Sequence, residues 1–383
     1  WPRVLERFAR APTSLHARFE GFCTAQAGWL DDYALFMAVK ARHQHVAWTM
    51  WEADIARREP AAVARWSARC EQEIQLHKLT QFLFFEQWHS VRTACHARSI
   101  DIMGDLPIFV AHDSADVWAR PEWFRLEPDG RPTVVAGVPP DYFSASGQLW
   151  GNPHYRWDAL ARTGYAWWVD RFRALLDLVD RVRIDHFRGF EASWEVPYGA
   201  PTAVRGEWAK GPGAALFEAV RSGLDTERLP FVAENLGVIT PEVEALKDQF
   251  GLPGMAILQF AFGSDPQAPD FKPHNFPRNR VVYTGTHDND TTVGWWTGEV
   301  GHSTRSKLDI ANERDHARRY LAITGSEVQW DFIRAALASV ADTAIVPVQD
   351  LLGLGSEARM NQPGTIGGNW RWRLLPGQLS DDI

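Results

Sequence analysis

The sequence predicts a parallel α/β fold. Short apolar stretches of strand length alternate along the chain with longer stretches of helical period, the order that builds a parallel sheet covered by helices. Several of the strand-like stretches also end on a carboxylate. In Arg181-Val182-Arg183-Ile184-Asp185, the β-branched Val182 and Ile184 suit a buried strand, Arg183 and Asp185 alternate with them, and Phe187-Arg188-Gly189 reads as the turn that leaves it. A carboxylate at the C-terminal end of a parallel strand costs desolvation unless something needs it there. In an α/β barrel that end carries the chemistry. Taken alone, the motif leaves two readings level: a reactive acid, or an Arg183–Asp185 ion pair that ties down a loop. Two further stretches tip the balance. Pro230 to Gly237 is an apolar strand ending at Glu234, and Arg280 to Asp290 is another ending in His287 and Asp288. Three strands that each deliver an acid are most simply explained by one pocket with three carboxylates.

From the N-terminus, residues 1 to 28 read as weakly helical. Trp29 to His43 is a helix with Leu30, Tyr33, Ala34, Met37 and Ala38 along one face. Glu59 to Arg98 reads as one long, largely helical region, with Pro60 placed for a helix start. Ile100 to Val110 is a strand that Pro107 ends, which puts Asp105 at another strand end. Residues 111 to 160 have little periodicity and are rich in Gly, Pro, Asp and aromatics, too long for a plain connection and so either functional or a small subdomain. They hold Asp141, Tyr142, Phe143, Gln148 and Trp150, a mixture that suits a sugar-binding loop because rings stack on sugars and polar side chains bond hydroxyls.

Ala161 to Val179 reads as a helix feeding the Arg183–Asp185 strand, and Pro212 to Leu224 as the helix before Glu234. Thr240-Pro241-Glu242 is a helix start with Pro at the first position and acid in the first turn. Gly254 to Phe262 reads as a strand carrying Phe260. Thr304 to Thr324 and Glu327 to Ala341 are helices, and Thr343 to Leu354 is a last strand ending in Gln349 and Asp350. A Gly-rich loop with Met360 and Asn361 follows. This makes six strands, where a closed barrel needs eight.

Composition narrows the partners. The 383 residues are 45% hydrophobic and 23% charged, an ordinary globular balance, and carry a net charge of −8. That sign argues against nucleic acid or an anionic membrane as partner. Three cysteines, Cys23, Cys70 and Cys95, form no metal-like spacing and fit a reduced compartment. No leader-like stretch opens the chain and no apolar run is long enough to span a membrane, so a cytoplasmic location is expected. His43-x-His45 and Asp288-x-Asp290 are weak metal spacings and no phosphate loop is present, so neither metal nor cofactor is expected. Most of the 19 tryptophans are expected in the core, although their flat faces also suit sugar rings.

Arg183-Ile184-Asp185-His186-Phe187-Arg188-Gly189, Ala233-Glu234-Asn235-Leu236-Gly237 and Gly285-Thr286-His287-Asp288-Asn289-Asp290, in this order, resemble the 4-α-glucanotransferases (amylomaltases, or disproportionating enzymes), relatives of the α-amylases. Gly104 to Phe109, Gly137 to Phe143, Gly151 to Pro153, Gly251 to Met255 and Gly355 to Asn361 match in register, from about Trp29 to the C-terminus. The resemblance implies a (β/α)8 TIM-type barrel forming a single catalytic domain, preceded by a helical region over 1–98 and interrupted by a cleft-lining insertion at 111–160. It assigns the predicted strands to barrel strands three through eight. The first two would then be absent, and Trp1 in place of an initiator Met fits a partial chain of this kind. Open sheet edges would make such a piece fold poorly alone.

The resemblance also implies a retaining mechanism without cofactor. Asp185 is the nucleophile, Glu234 the acid/base and Asp288 the group that stabilises the charged transition state. Arg183, His287, Asp105, Asp141, Tyr142, Gln148, Trp150, Phe260 and Asn361 would bind substrate. Arg183 should keep Asp185 ionised, Glu234 should titrate nearer neutrality, and the two carboxyls should stand about 5–5.5 Å apart. Asn235 and Ser264 stand where some members carry an acid. The implied substrates are malto-oligosaccharides, and a monomer is expected. An α-glucan hydrolase of the same clan, or an inert glucan-binding fragment, are the alternatives. Products separate them: longer maltodextrins mean transfer, glucose alone means hydrolysis.

Overall fold

A computed structural model describes residues 2–140, 146–298, 306–365 and 367–380. The described residues divide into two compact units: 2–139, 146–185 and 189–230 form the first, and 140, 186–188, 231–298, 306–365 and 367–380 the second.

The first unit begins with helices Pro2–Ala9, Thr13–Ala25 and Ala27–Arg42. Phe19 and Phe82 bury an edge-to-face contact there, joined by Leu79 from the long helix Glu71–His96. The single helical region expected over 59–98 is two helices, Pro60–Arg69 and Glu71–His96, with the break at Cys70, which is fully buried. Two parallel strands follow in space, β1 (Met103–Pro107) and, later in the chain, β4 (Arg181–Asp185). Val182 and Ile184 are fully buried in β4, and Arg183 points between them to the other face.

Between these strands the chain makes what periodicity did not reveal. β2 (Val134–Val138) and β3 (Gln148–Pro153), with β5 (Ala192–Pro197) and β6 (Glu207–Lys210), form an antiparallel sheet in the order β3-β2-β5-β6. The helix expected over 161–179 is also two, Trp157–Arg162 and Ala166–Leu176, broken by Gly164 and by Tyr165 at φ +56°. The second helix buries Trp168 and Phe172.

In the second unit, β7 (Phe231–Ala233), β8 (Gly254–Ile257), β9 (Arg280–Tyr283) and β10 (Thr343–Ile345) pair in parallel in that order. β7, β8 and β9 are buried almost throughout, as parallel strands covered by helices must be, whereas β10 at the edge of the sheet is exposed or half-buried. Three expected strands stop early. The Arg280–Asp290 stretch is strand only to Tyr283. The Gly254–Phe262 stretch is strand only to Ile257 and then a 3-10 turn, Leu258–Phe262, which carries Phe260. Thr343–Leu354 is strand only to Ile345; Pro347 removes a ladder donor and opens a short helical turn, Val348–Leu351. Asp350 therefore lies on a helical turn and not at a strand end. Helices Lys307–Leu321, with a capping box at Ser306 and Asp309, and Val328–Leu337 flank a core of Phe262, Val282, Trp295 and Phe332. Among the described residues no helix is long and apolar enough to cross a membrane.

Phe332 is fully buried and meets Phe262 and Trp295 through ring contacts. Phe332→Ala is expected to lower unfolding stability by about 3–5 kcal/mol, the cost of a large aromatic cavity, read from denaturant unfolding. A loss below ~1 kcal/mol would mean that the core closes over the gap.

Candidate active site

In the first unit, Arg183 organises the strand ends. Arg183 is only 9% exposed, so its charge must be paired. Nη1 donates to both oxygens of Asp105 at 2.9 and 2.7 Å, and Nη2 reaches Asp185 at 3.0 Å. Asp105 lies on β1 opposite Arg183 on β4, so one planar fork holds two carboxylates on neighbouring strands, a task the point charge of lysine would not perform. The ion-pair reading and the reactive-acid reading of Asp185 are thus both physically present: Asp185 is paired, yet remains 44% exposed along its side chain.

The antiparallel sheet of this unit presents Gln148 and Trp150 on β3. Trp150 donates from Nε1 to Gln148 Oε1 at 3.2 Å, is 38% exposed, and lies 6.4 Å from the Phe109 ring. The end of β3 is tied to the chain after β1, through Asn152 Nδ2 to Val110 O at 2.9 Å and Tyr155 Oη to Ile108 O at 2.7 Å. Beneath it the buried Glu195 accepts from Arg125, and His154 stands 3.8 Å from that carboxylate. Asp141 and Tyr142 lie outside the described residues.

In the second unit, Glu234 follows β7. Oε1 accepts from Leu236 N and Oε2 from His186 N, each at 2.8 Å. Two backbone donors hold the carboxylate in one orientation. His186 adopts φ +52°, a left-handed conformation of the kind that concentrates at functional sites. Arg188 donates to Val238 O, which pins the turn after Glu234. Asn235, the departure noted above, accepts from Met255 N at 2.9 Å and donates to Glu244 at 2.7 Å, so it stitches β7 to β8. A Cβ on Gly254 would stand 2.7 Å from Asn235 Oδ1, which is why glycine occupies that position.

His287 and Asp288 lie beyond the end of β9, in a loop and not in the strand itself. Asp288 accepts from Asn361 Nδ2 at 2.6 Å, and its carbonyl from Arg359 at 2.8 Å. His287 Nε2 is 3.3 Å from Asp288, its carbonyl accepts from Asn361 N at 3.0 Å, and Trp370 lies against its ring at 5.3 Å. Phe260 packs edge-to-face on Phe271 at 5.5 Å. The structure thus groups Asp105, Arg183 and Asp185; Gln148 and Trp150; and His287, Asp288 and Asn361. The backbone of His186, together with the bonding roles of Arg359 and Trp370, lies outside what the sequence pattern marks, and Asn235, noted there as a departure, proves to bond between strands.

A parallel α/β frame whose strand ends carry acids held by charge-assisted hydrogen bonds is suited to acid–base chemistry on a glycosidic bond. The family model for 4-alpha-glucanotransferase matches residues 2–378. A 4-alpha-glucanotransferase of Thermus thermophilus is 50% identical over 394 residues, an alignment spanning 100% of this chain and 76% of the relative. That of Synechocystis is 54% identical over 371 residues, spanning 96% and 71%. The amylomaltase of Streptococcus agalactiae in complex with acarbose superposes with a TM-score of 0.90 at 35% identity, covering 99% of this chain and 74% of that one. The chain belongs to the 4-alpha-glucanotransferase family, enzymes of the glycosyltransferase type.

His154 gives a measurable consequence of the site's support. Burial holds its ring neutral, bringing its pKa down from 6.5 to about 4; the hydrogen bond to Trp194 O opposes this and Arg125 adds to it. Below pH 6.5 the unfolded chain takes up a proton that the folded ring refuses until about pH 4. The stability from the neutral ring is therefore whole above pH 6.5 and is lost as pH falls to 4. His154→Gln is expected to remove ~3 kcal/mol from the acid-side decline in stability, measured by denaturant unfolding at stepped pH. An unchanged pH slope would sink this account.

Proposed function

We propose that the protein transfers α-1,4-glucan segments between malto-oligosaccharides by a retaining double displacement, with Asp185, Glu234 and Asp288 as its catalytic residues. Asp185 attacks the anomeric carbon while Glu234 gives its proton to the leaving glycosidic oxygen, which departs as a free 4-hydroxyl end. The 4-hydroxyl of an acceptor sugar then displaces Asp185 and returns a proton to Glu234, which now acts as base. Asp288, with His287 beside it, stabilises the positive charge that develops on the sugar ring. On this reading the parallel strands correspond to strands three through eight of a (β/α)8 barrel.

The observation that carries the proposal is how firmly each carboxylate is held: Asp185 by Arg183, Glu234 by two backbone donors, Asp288 by Asn361. Fixed orientation is what such chemistry needs. Arg183 and Asn361 are engaged with these acids, so they position them as well as facing substrate. Trp150 offers an exposed ring on which a sugar can stack, with Gln148 beside it, and Asp105 is exposed enough to bond a hydroxyl. The Streptococcus agalactiae enzyme with acarbose supports a saccharide as the ligand class.

The test is incubation with maltotriose, with products resolved by chain length. A ladder of longer and shorter maltodextrins is expected. Glu234→Gln should lower kcat by about 10²–10⁴-fold, Asp288→Asn by about 10²–10³-fold, and Asp185→Asn should abolish the ladder. Glucose as the sole product would replace transfer with hydrolysis. A ladder that persists in Asp185→Asn would remove Asp185 from the role of nucleophile.

A further inference from the structure

The carboxylate that the mechanism does not use is Asp350. It is fully buried, and among the described residues no cation pairs with it. Oδ2 accepts from Thr284 Oγ1 at 2.5 Å and from Thr292 Oγ1 at 2.8 Å; Oδ1 accepts from Thr292 N at 2.7 Å. Thr284 is the first residue past β9 and Thr292 the first of helix Thr292–Thr297. One side chain therefore grips both stems of the loop that carries His287 and Asp288. Secondary ties fix the rest of that loop. Asn289 Oδ1 accepts from Thr286 N and Oγ1 at 2.9 and 2.8 Å, Asp290 accepts from Ser356 at 2.7 Å, and Gln259 donates to the Asp290 carbonyl at 2.9 Å.

A buried charge held only by neutral donors is a costly way to close a loop. Burial raises the Asp350 carboxyl, the threonine donors pull it back, and Asp290 raises it further. Closing the loop alone could be done by apolar packing. What the carboxylate adds is direction: three donors converge on two oxygens with fixed geometry.

We propose that Asp350 is a positioning residue for the transfer reaction, its carboxylate locking both stems of the 284–292 loop and so fixing where His287 and Asp288 stand. The inference rests on the role given above to Asp288. Displacing that carboxylate by an ångström costs far more in the transition state than in substrate binding, so kcat should fall while KM holds.

The test uses the full chain and maltotriose as substrate. Asp350→Asn keeps the shape but replaces one acceptor oxygen with a donor. It is expected to lower kcat by about 10²-fold with KM within about 2-fold of wild type. Thr292→Val removes one hydroxyl donor at constant shape and should lower kcat by about 10-fold in the same pattern, whereas Thr292→Ser restores it. The double variant should be less impaired than the product of the two single effects, because both break one network. If Asp350→Asn does not fold, the Thr292 pair decides. Folded variants with wild-type kcat, or with losses matched by a fall in the titrated fraction of active enzyme, would overturn the proposal. Asp288→Asn is assayed beside them: wild-type kcat there sinks the role of Asp288, and a kcat fall in Asp350→Asn then still supports positioning through His287.

Discussion

Placing charge at the ends of buried strands is the constraint on which the site depends. β4 buries Val182 and Ile184 and carries Arg183 between them. A guanidinium in that position cannot be left without partners, because its desolvation costs several kcal/mol. The chain satisfies it with two carboxylates, Asp105 and Asp185, that are themselves more exposed than the cation. The buried positive group thus dictates where two negative groups stand. The same arrangement that makes the strand end tolerable leaves Asp185 oriented and partly open to solvent, which is compatible with the role proposed for it.

The second unit solves the problem with backbone and neutral donors. Glu234 is held by the amides of His186 and Leu236, and the first of these requires His186 in a left-handed conformation that costs of order 1–3 kcal/mol. Asp288 is held by the Asn361 amide and the ring of its neighbour His287. Under the proposed mechanism, backbone and amide donors orient these two carboxylates, while Arg183 pairs with Asp185.

The sequence made the parallel strands and their acids legible because both signals are local. Alternation of β-branched residues marks a buried strand, and an acid closing it stands out against the desolvation cost. Strands β1, β4 and β7 lie within the stretches the pattern marks, and β9 begins where expected but stops at Tyr283, short of His287 and Asp288. Three features were not legible, each for a physical reason. The antiparallel sheet pairs β2 and β3 with β5 and β6, segments up to some sixty residues apart in a loop-like composition. The early ends of β8 and β10 are set by tertiary demands, since the turn after β8 brings Gln259 to the Asp290 carbonyl and Pro347 starts the turn that brings Asp350 to Thr284 and Thr292. The Asn235 stitch depends on a glycine on the neighbouring strand, a pairing no single segment records.

These misses share a character. The residues singled out at strand ends are charged, whereas the structural roles that emerge only in the fold belong to groups that fix the position of another: His186 through its amide, Asn235 between strands, Asp350 beneath a loop. Positioning groups bond to backbone or to hydroxyls at long range, so their partners lack a distinctive residue type and their spacing lacks a period. A catalytic acid can be recognised by where it sits along one strand. The group that makes it effective can be recognised only after the fold has brought distant stems together, which is why Asp350 was read from sequence as the end of a strand and is found, buried, at the base of the loop that carries Asp288.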